Sequence, residues 1–267
     1  MATSQQQQTP TWDKMEILQD ADPQALIWAS RGGDGSGKSY FACTAPGPIY
    51  VAAFDPNGLD RVDKAIRRER EIRIGRFGFN ANVYDGNRKD TQAAADKIWQ
   101  KFKEEYRAAI RSGKCRTALW DREDLAWELI RYANFGGDKN EGSKTGALDY
   151  GDLNAEYVGL IQEARDNGVN LGLLQGVKEK WVAKYNPVSA KMQNYNTGEL
   201  IPDGFKKIAD HVDITLDHFW DEKERKYAVK MVKFPNVEHK YTVQHNLDFP
   251  LMASLAFPDA DLALWCN

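Results

Sequence analysis

The hydrophobic and polar positions of this chain predict strands that alternate with helices over most of its length. Several short apolar runs have the length of a buried strand rather than of a helix. They cover residues 25–30, 48–54, 116–120 and 170–174. Residues 91–112 instead place apolar side chains at every fourth position, which is typical of an amphipathic helix. The alternation predicts a mostly parallel sheet with helices on both faces.

The last third of the chain contains two runs in which apolar and polar residues alternate. These runs cover residues 212–220 and 226–234, and a charged turn separates them. A period of two on both sides of a short turn predicts an antiparallel hairpin. We expect this hairpin to close the sheet at one edge.

The 267 residues are enough for one main domain with a small appendage. Residues 1–24 are polar and rich in Gln, which predicts a flexible arm. We therefore predict a core domain at residues 25–245 and a C-terminal extension at residues 246–267.

The strongest chemical signal is a Gly-rich run that follows the first predicted strand and precedes a predicted helix. The sequence matches the phosphate-loop pattern GxxxxGKS. Backbone N–H groups of such a loop surround a phosphate, the Lys ammonium reaches the terminal phosphates and the Ser hydroxyl binds magnesium. The predicted nucleotide-binding residues are Gly32, Gly33, Asp34, Gly35, Ser36, Gly37, Lys38 and Ser39.

A second anchor for the metal is predicted at Asp121, which ends the apolar strand at residues 116–120. The alternative is that Asp121 caps the helix that follows. Glu123 and Asp124 could share this capping role, and both are also candidates for orienting the attacking water.

Two further polar residues stand at the ends of predicted strands, where they would face the nucleotide. Asp55 ends the strand at residues 48–54, with a turn before Pro56 as the alternative interpretation. Gln175 ends the strand at residues 170–174, and its amide could sense the γ-phosphate. We count Lys38, Asp55, Glu123 and Gln175 as the catalytic candidates.

The segment after Gln175 interleaves basic and aromatic residues, a mixture that suits the phosphates and bases of single-stranded nucleic acid. An ordinary exposed hairpin is the alternative. The nucleic-acid candidates are Lys178, Lys180, Trp181, Lys184 and Tyr185.

Bulk properties narrow the class of protein without identifying a partner. The net charge of −3 gives no overall attraction to nucleic acid, so binding would need a local patch. No apolar stretch is long enough for a membrane span, and the first residues lack the pattern of a signal peptide. The three scattered Cys residues do not suggest a disulfide framework. These features indicate a cytoplasmic protein without a membrane partner.

With these motifs in order, the chain resembles the RecA-like P-loop ATPases, and among them the compact proteins that bacteriophages encode. The resemblance rests on the phosphate loop, on residues 50–55, on residues 116–131 and on the paired runs at 212–233. It implies a three-layer α/β P-loop NTPase fold with a mostly parallel RecA-like sheet of the ASCE type that ends in an antiparallel hairpin.

The resemblance also implies a function and an assembly. It implies ATP and Mg²⁺ as ligands, ATP hydrolysis, and work on DNA in recombination, annealing or replication. It implies a homo-oligomer, a ring or a filament, with ATP between subunits, and single-stranded DNA as a partner. A phage-encoded protein of this kind would act in the cytoplasm of the host cell.

One departure from the family pattern affects the predicted turnover. RecA-like ATPases usually carry a Glu after the second strand to activate water, whereas this chain has Asp55, Pro56 and Asn57. Hydrolysis is therefore expected to be slow. Two alternatives stay open: a nucleotide or small-molecule kinase that uses the Arg cluster at residues 67–76, and a structural or packaging protein that nucleotide binding switches.

Overall fold

A computed structural model of the chain describes residues 25–55, 70–84, 87–136, 149–186 and 191–260. The strands among these residues are β1 (Ile27–Arg31), β2 (Ile49–Ala53), β3 (Ile72–Arg76), β4 (Thr117–Asp121), β5 (Asn170–Gln175), β6 (Val177–Asn186), β7 (Lys191–Pro202), β8 (Ile214–Asp221), β9 (Lys226–Lys233) and β10 (Val243–His245). The α-helices are α1 (Lys38–Ala42), α2 (Arg88–Ile110), α3 (Glu123–Phe135), α4 (Asp149–Asp166), α5 (Ile208–His211) and α6 (Phe249–Ala256). Short 3-10 helices cover Ala81–Tyr84 and Val237–His239.

The main sheet has eight strands in the order β10-β9-β8-β1-β5-β4-β2-β3. The six strands from β8 to β3 pair in parallel, while β9 and β10 are antiparallel additions beyond β8. The predicted fold class is therefore confirmed: a mostly parallel α/β sheet that ends in an antiparallel hairpin. In this order β5 lies between the strand of the phosphate loop and β4, which carries Asp121.

Helices cover both faces of the sheet because the side chains of each strand alternate between two cores. Ile27 and Ala29 of β1 belong to a core that includes residues of α2, α3 and α4. Trp28 belongs to the opposite core, which includes residues of α1 and α6. Gly172 of β5 makes room for the Trp28 ring, since a Cβ atom there would lie 2.4 Å from it.

The predicted C-terminal extension contributes to the second core. Phe249, at the start of α6, is fully buried, and its ring lies 5.2 Å from that of Trp28. Asp248 caps the helix by accepting a hydrogen bond from the backbone N–H of Leu251. The predicted arm at residues 1–24 lies outside the described residues.

The basic and aromatic segment after Gln175 forms a separate two-stranded antiparallel sheet, β6 and β7. Its two ends meet beside β5, where the backbone N–H of Asp203 donates to the carbonyl of Gly176 over 3.0 Å. The ribbon is thus rooted at the carboxyl end of a core strand. None of the described helices is both long and apolar enough to cross a bilayer.

Candidate active site

The phosphate loop connects β1 to α1 and curls back on itself. The Lys38 ammonium donates to the carbonyl oxygens of Gly32 and Gly33 over 2.7 and 2.8 Å. Gly35 and Gly37 have φ angles of 72° and 93°, which few other residues adopt without strain. A loop of this kind turns its N–H groups toward a common point, where an anion can bind.

A buried His supports the loop from β8. The carbonyl oxygen of His218 lies so close to Gly32 that a Cβ atom on Gly32 would come within 2.4 Å of it. The His218 Nε2 atom lies 3.1 Å from the Ser30 hydroxyl, at the end of β1. Burial first, and the charge of Lys38 second, lower the pKa of His218 to about 3. The imidazole is therefore neutral and holds the strand that begins the loop.

Asp121 ends β4 as predicted and lies close to Lys38 and Asp55. Burial is the main reason that the pKa of Asp121 rises to about 6, and the Asp55 carboxylate raises it further. The Lys38 ammonium acts in the opposite direction. Parallel strands thus bring three of the predicted site residues to one edge of the sheet.

The residues present fit a magnesium ion. The buried Asp121 Oδ2 atom has no hydrogen-bond partner among the described residues, and an oxygen of this kind is a suitable ligand for Mg²⁺ or its water. Ser39 lies in the first turn of α1, at the phosphate-loop position that supplies a hydroxyl. Mg²⁺ commonly takes its remaining ligands from phosphates and water. Within the described ranges no group of three or more His, Cys, Asp or Glu residues could hold a metal by itself.

The structure does not place Glu123 where the sequence predicted. Its side chain is 0% exposed, and it accepts hydrogen bonds from the Tyr157 hydroxyl over 2.6 Å and the Gln175 amide over 2.9 Å. Burial is the main reason that its pKa rises to about 8. A neutral, enclosed carboxyl does not fit the predicted role of orienting the attacking water.

The amide nitrogen of Gln175 is likewise bound within the protein. It donates to Glu123 and, over 3.0 Å, to the carbonyl of Asp203 at the root of the β6–β7 ribbon. In this arrangement Gln175 joins the end of β5 to α3 and to the ribbon. The geometry therefore does not fit the γ-phosphate contact that the sequence predicted.

Arg122 is a site residue that the sequence reasoning missed. It follows Asp121 directly and has a φ angle of 67°. Its guanidinium binds both carboxylate oxygens of Asp124 over 2.7 to 3.1 Å. The Asp124 carboxylate also accepts from the backbone N–H of Gly176 over 3.1 Å. A charged residue after a strand is common, so nothing in the local sequence distinguished Arg122.

The nucleic-acid candidates lie on the ribbon, away from the sheet. Lys178 is ion-paired with Asp203 over 2.5 Å and Lys180 with Glu199 over 2.7 Å. Trp181 is 56% exposed, and Lys184 is also exposed. The side chain of Tyr185 lies outside the described residues, as do Arg67 and Arg68 of the predicted Arg cluster.

A cavity of about 420 Å³ opens beside the phosphate loop on the side of β8. Its walls include the loop backbone, the root of the ribbon and the exposed aromatic end of β8. The apolar lining residues are Val177, Leu200, Pro202, Phe219 and Trp220. Tyr227 packs edge-on against Trp220 with ring centroids 5.1 Å apart. Aromatic surface thus lies within reach of any ligand that binds the loop.

Among solved structures, the chain is similar to the one described as the crystal structure of the RadB recombinase. The likeness covers 84% of this chain and 86% of that chain, with 7% sequence identity and a TM-score of 0.45. No family profile matches the chain, and neither does any curated protein sequence. A likeness at this level leaves the function to be argued from the site itself.

Proposed function

We propose that this chain is a Mg²⁺-dependent ATP-binding protein that hydrolyses ATP slowly. The observation that supports the proposal best is the placement of the buried, unpartnered Asp121 oxygen close to Lys38 of the phosphate loop. Lys38 would bind the terminal phosphates, while Ser39 and Asp121 would hold Mg²⁺. When bound, the metal ion neutralises charge on the phosphates and polarises the bond that breaks.

Slow turnover is part of the proposal because the described site offers few bases for activating water. Glu123 is enclosed and Gln175 is bound to it. Asp124, the third candidate, is bound by the Arg122 guanidinium. Asp55 also lies close enough to raise the pKa of Asp121, and we propose that Asp55 orients the attacking water.

The proposed substrate context is DNA, as in the phage-encoded branch that the sequence resembles. The β6–β7 ribbon supports this part of the proposal because it presents an exposed Trp181 and an exposed Lys184 outside the main sheet. Bases of single-stranded DNA stack on such side chains, and lysines bind its phosphates. The two ion pairs of Lys178 and Lys180 are at the surface, where such pairs add little stability and can be exchanged for phosphate contacts.

We also propose that copies of the chain assemble so that ATP lies between subunits. Phe219 and Trp220 are 37% and 42% exposed beside the phosphate loop, and Leu200 of the ribbon, which lines the same cavity, is 61% exposed. A neighbouring subunit would cover this apolar surface and close the site around the nucleotide.

Steady-state ATPase activity with and without single-stranded DNA tests the proposal. We expect weak, Mg²⁺-dependent turnover that DNA stimulates and that Lys38→Ala lowers by roughly 100-fold, since it removes a cation from the developing phosphate charge. Lys97→Ala, an exposed position on α2, is the matched control and should retain activity. Tight ATP binding without turnover under either condition would instead identify a nucleotide-gated binding protein.

The ribbon is tested separately with the double variant Lys180→Ala/Trp181→Ala. We expect it to weaken single-strand binding by roughly 10-fold or more, because one stacking side chain and one charge are lost, and to reduce the salt dependence of binding. The measurement is fluorescence anisotropy of a labelled oligonucleotide at two salt concentrations.

A matched control removes a similar pair elsewhere on the surface. The Lys240 ammonium lies 5.1 Å from the centre of the exposed Tyr241 ring. Lys240→Ala/Tyr241→Ala should leave binding within about 2-fold of wild type, a change within the range that surface substitutions cause. Equal loss in both double variants would contradict the assignment of DNA binding to the ribbon.

A further inference from the structure

Arg122 adopts a backbone conformation that the sequence does not favour. Its φ and ψ angles are 67° and 65°, in the left-handed region, and it has a long side chain rather than the Gly or Asn common there. Strained residues of this kind persist where the surrounding structure holds them, and they concentrate at functional sites. Arg122 stands between Asp121 and the first turn of α3, at the edge of the proposed phosphate site.

The guanidinium of Arg122 is held on one side only. Two of its nitrogens, Nε and Nη2, donate to the Asp124 carboxylate, which is itself 5% exposed and bound by the N–H of Gly176. A guanidinium carries five N–H groups, and among the described residues the others make no hydrogen bond. The Arg122 side chain is 30% exposed, so part of it is accessible to solvent.

The positive charge of Arg122 affects the ionisation of Lys38 in the phosphate loop. Burial is the main cause that lowers the pKa of Lys38, Asp34 acts in the opposite direction, and the charge of Arg122 lowers the pKa further, so the two cations lie close enough to repel each other. The hydrogen bonds to Asp124 are the main cause that raises the pKa of Arg122, and the carboxylates of Asp34 in the loop and of Asp55 just after β2 raise it further. An anion that binds between two neighbouring cations lowers the repulsion between them.

From this geometry we infer that Arg122 binds the terminal phosphate of the nucleotide held by its own chain and so distinguishes ATP from ADP. The inference rests on the proposed function and adds a residue and a selectivity to it. Asp124 is then a positioning residue, which fixes the guanidinium so that its free edge faces the phosphate. Planar, pre-oriented guanidinium groups suit phosphate oxygens better than flexible ammonium groups do.

The experiment compares the affinities of the protein for ATPγS and ADP by calorimetry in the presence of Mg²⁺. The variant is Arg122→Gly, because Gly accepts the left-handed backbone and the substitution removes only the side chain. We expect affinity for ATPγS to fall roughly 10-fold or more, and affinity for ADP to change less than about 3-fold, since ADP lacks the phosphate contacted.

A purely structural role for Arg122 predicts a different outcome. If the guanidinium only caps α3 through Asp124, Arg122→Gly should lower the thermal midpoint and weaken both nucleotides equally. The second variant, Arg122→Gly/Asp124→Asn, removes the carboxylate charge that the first leaves unpaired and keeps an oxygen for the Gly176 N–H. Selective loss of ATPγS binding in this variant supports the inference, whereas equal loss or failure of both variants to fold overturns it.

The wild-type protein separates this inference from the proposed function. Wild-type protein that binds neither nucleotide would contradict the proposed function itself. Wild-type protein that binds both, with variants that lose both equally, would overturn only the role of Arg122.

Discussion

An Asp121→Asn variant is expected to lose most of the Mg²⁺ dependence of ATP binding and to be slightly more stable than wild type without nucleotide. The metal effect should be on the order of 100-fold, because a neutral amide replaces a carboxylate that holds the ion or its water. The measurement is ATP affinity with and without Mg²⁺, together with the free energy of unfolding in denaturant.

The gain in stability follows from the pKa of Asp121. Burial and the Asp55 carboxylate raise this pKa from 3.8 to about 6, so the folded protein disfavours the ionised form more than the unfolded chain does. The neutral form of Asp121 makes its full contribution to the free energy of unfolding below pH 3.8. This contribution is lost as the pH rises through 6. At pH 7.5 the wild type carries this penalty in full, and the asparagine variant should recover about 1 kcal/mol of it.

A control with the same chemical change is available at Asp96, an exposed position on α2. Asp96→Asn should alter neither the Mg²⁺ dependence nor the stability by a measurable amount, as is usual for surface substitutions. An Asp121→Asn variant that still required Mg²⁺ as strongly as wild type would remove Asp121 from the metal site.

The sequence predicted the parts of this fold that depend on local pattern. Strands β1, β2, β4 and β5 are buried, and buried parallel strands appear in a sequence as short apolar runs. Asp121 was found because it ends such a run, and parallel strands place their carboxyl ends along one edge. The phosphate loop was found because its glycines and Lys38 are contiguous.

The sequence could not predict the contacts that enclose Glu123. Its partners Tyr157 and Phe205 lie 34 and 82 residues away in the chain, so the local pattern showed only an acidic residue in a charged stretch. The same holds for His218, whose burial depends on packing below the phosphate loop. Polar residues whose environment is set by distant segments carry no local signal of their burial.

The ribbon was predicted only as an alternative, an ordinary exposed hairpin, for a related reason. Its strands face solvent on much of their surface, so no apolar stripe marks a buried side, and period-two alternation is weak there. What the sequence did show was composition: basic and aromatic residues in one segment. Composition supported a hypothesis about binding, while the hairpin that the structure shows remained the alternative interpretation.

A Glu123→Gln variant is expected to remove a pH dependence of stability that the wild type shows between about pH 6.5 and 8. The pKa of Glu123 is raised from 4.5 to about 8, chiefly by burial, so the folded state holds a proton that the unfolded chain has released. The bound proton makes its full contribution to the free energy of unfolding below pH 4.5. This contribution is lost as the pH rises through 8. Over the window from 6.5 to 8 the wild type should lose about 2 kcal/mol.

This window separates most of the titration of Glu123 from the titrations of two other buried groups of the site. His218, with its pKa lowered from 6.5 to about 3, adds stability as the pH rises between those values. Asp121 acts in the opposite direction between 3.8 and about 6. Above pH 6.5 only the last part of each of these two titrations remains, and the two act in opposite directions, so most of the slope belongs to Glu123.

Denaturant unfolding at half-unit steps of pH measures the slope directly. Glutamine fills the same space, but it has only one side-chain oxygen. It can therefore accept from the Tyr157 hydroxyl or from the Gln175 amide in the way that Glu123 accepts from both, so some stability is lost at low pH. Glu128→Gln, an exposed position on the same helix, should keep the wild-type slope.

A wild-type curve that is flat from pH 6.5 to 8 would mean that Glu123 is ionised, with its three hydrogen bonds compensating for burial. The enclosed carboxyl would then be a fixed negative charge beside the Arg122–Asp124 pair. That charge would add to those of Asp121 and Asp124 near the phosphate loop.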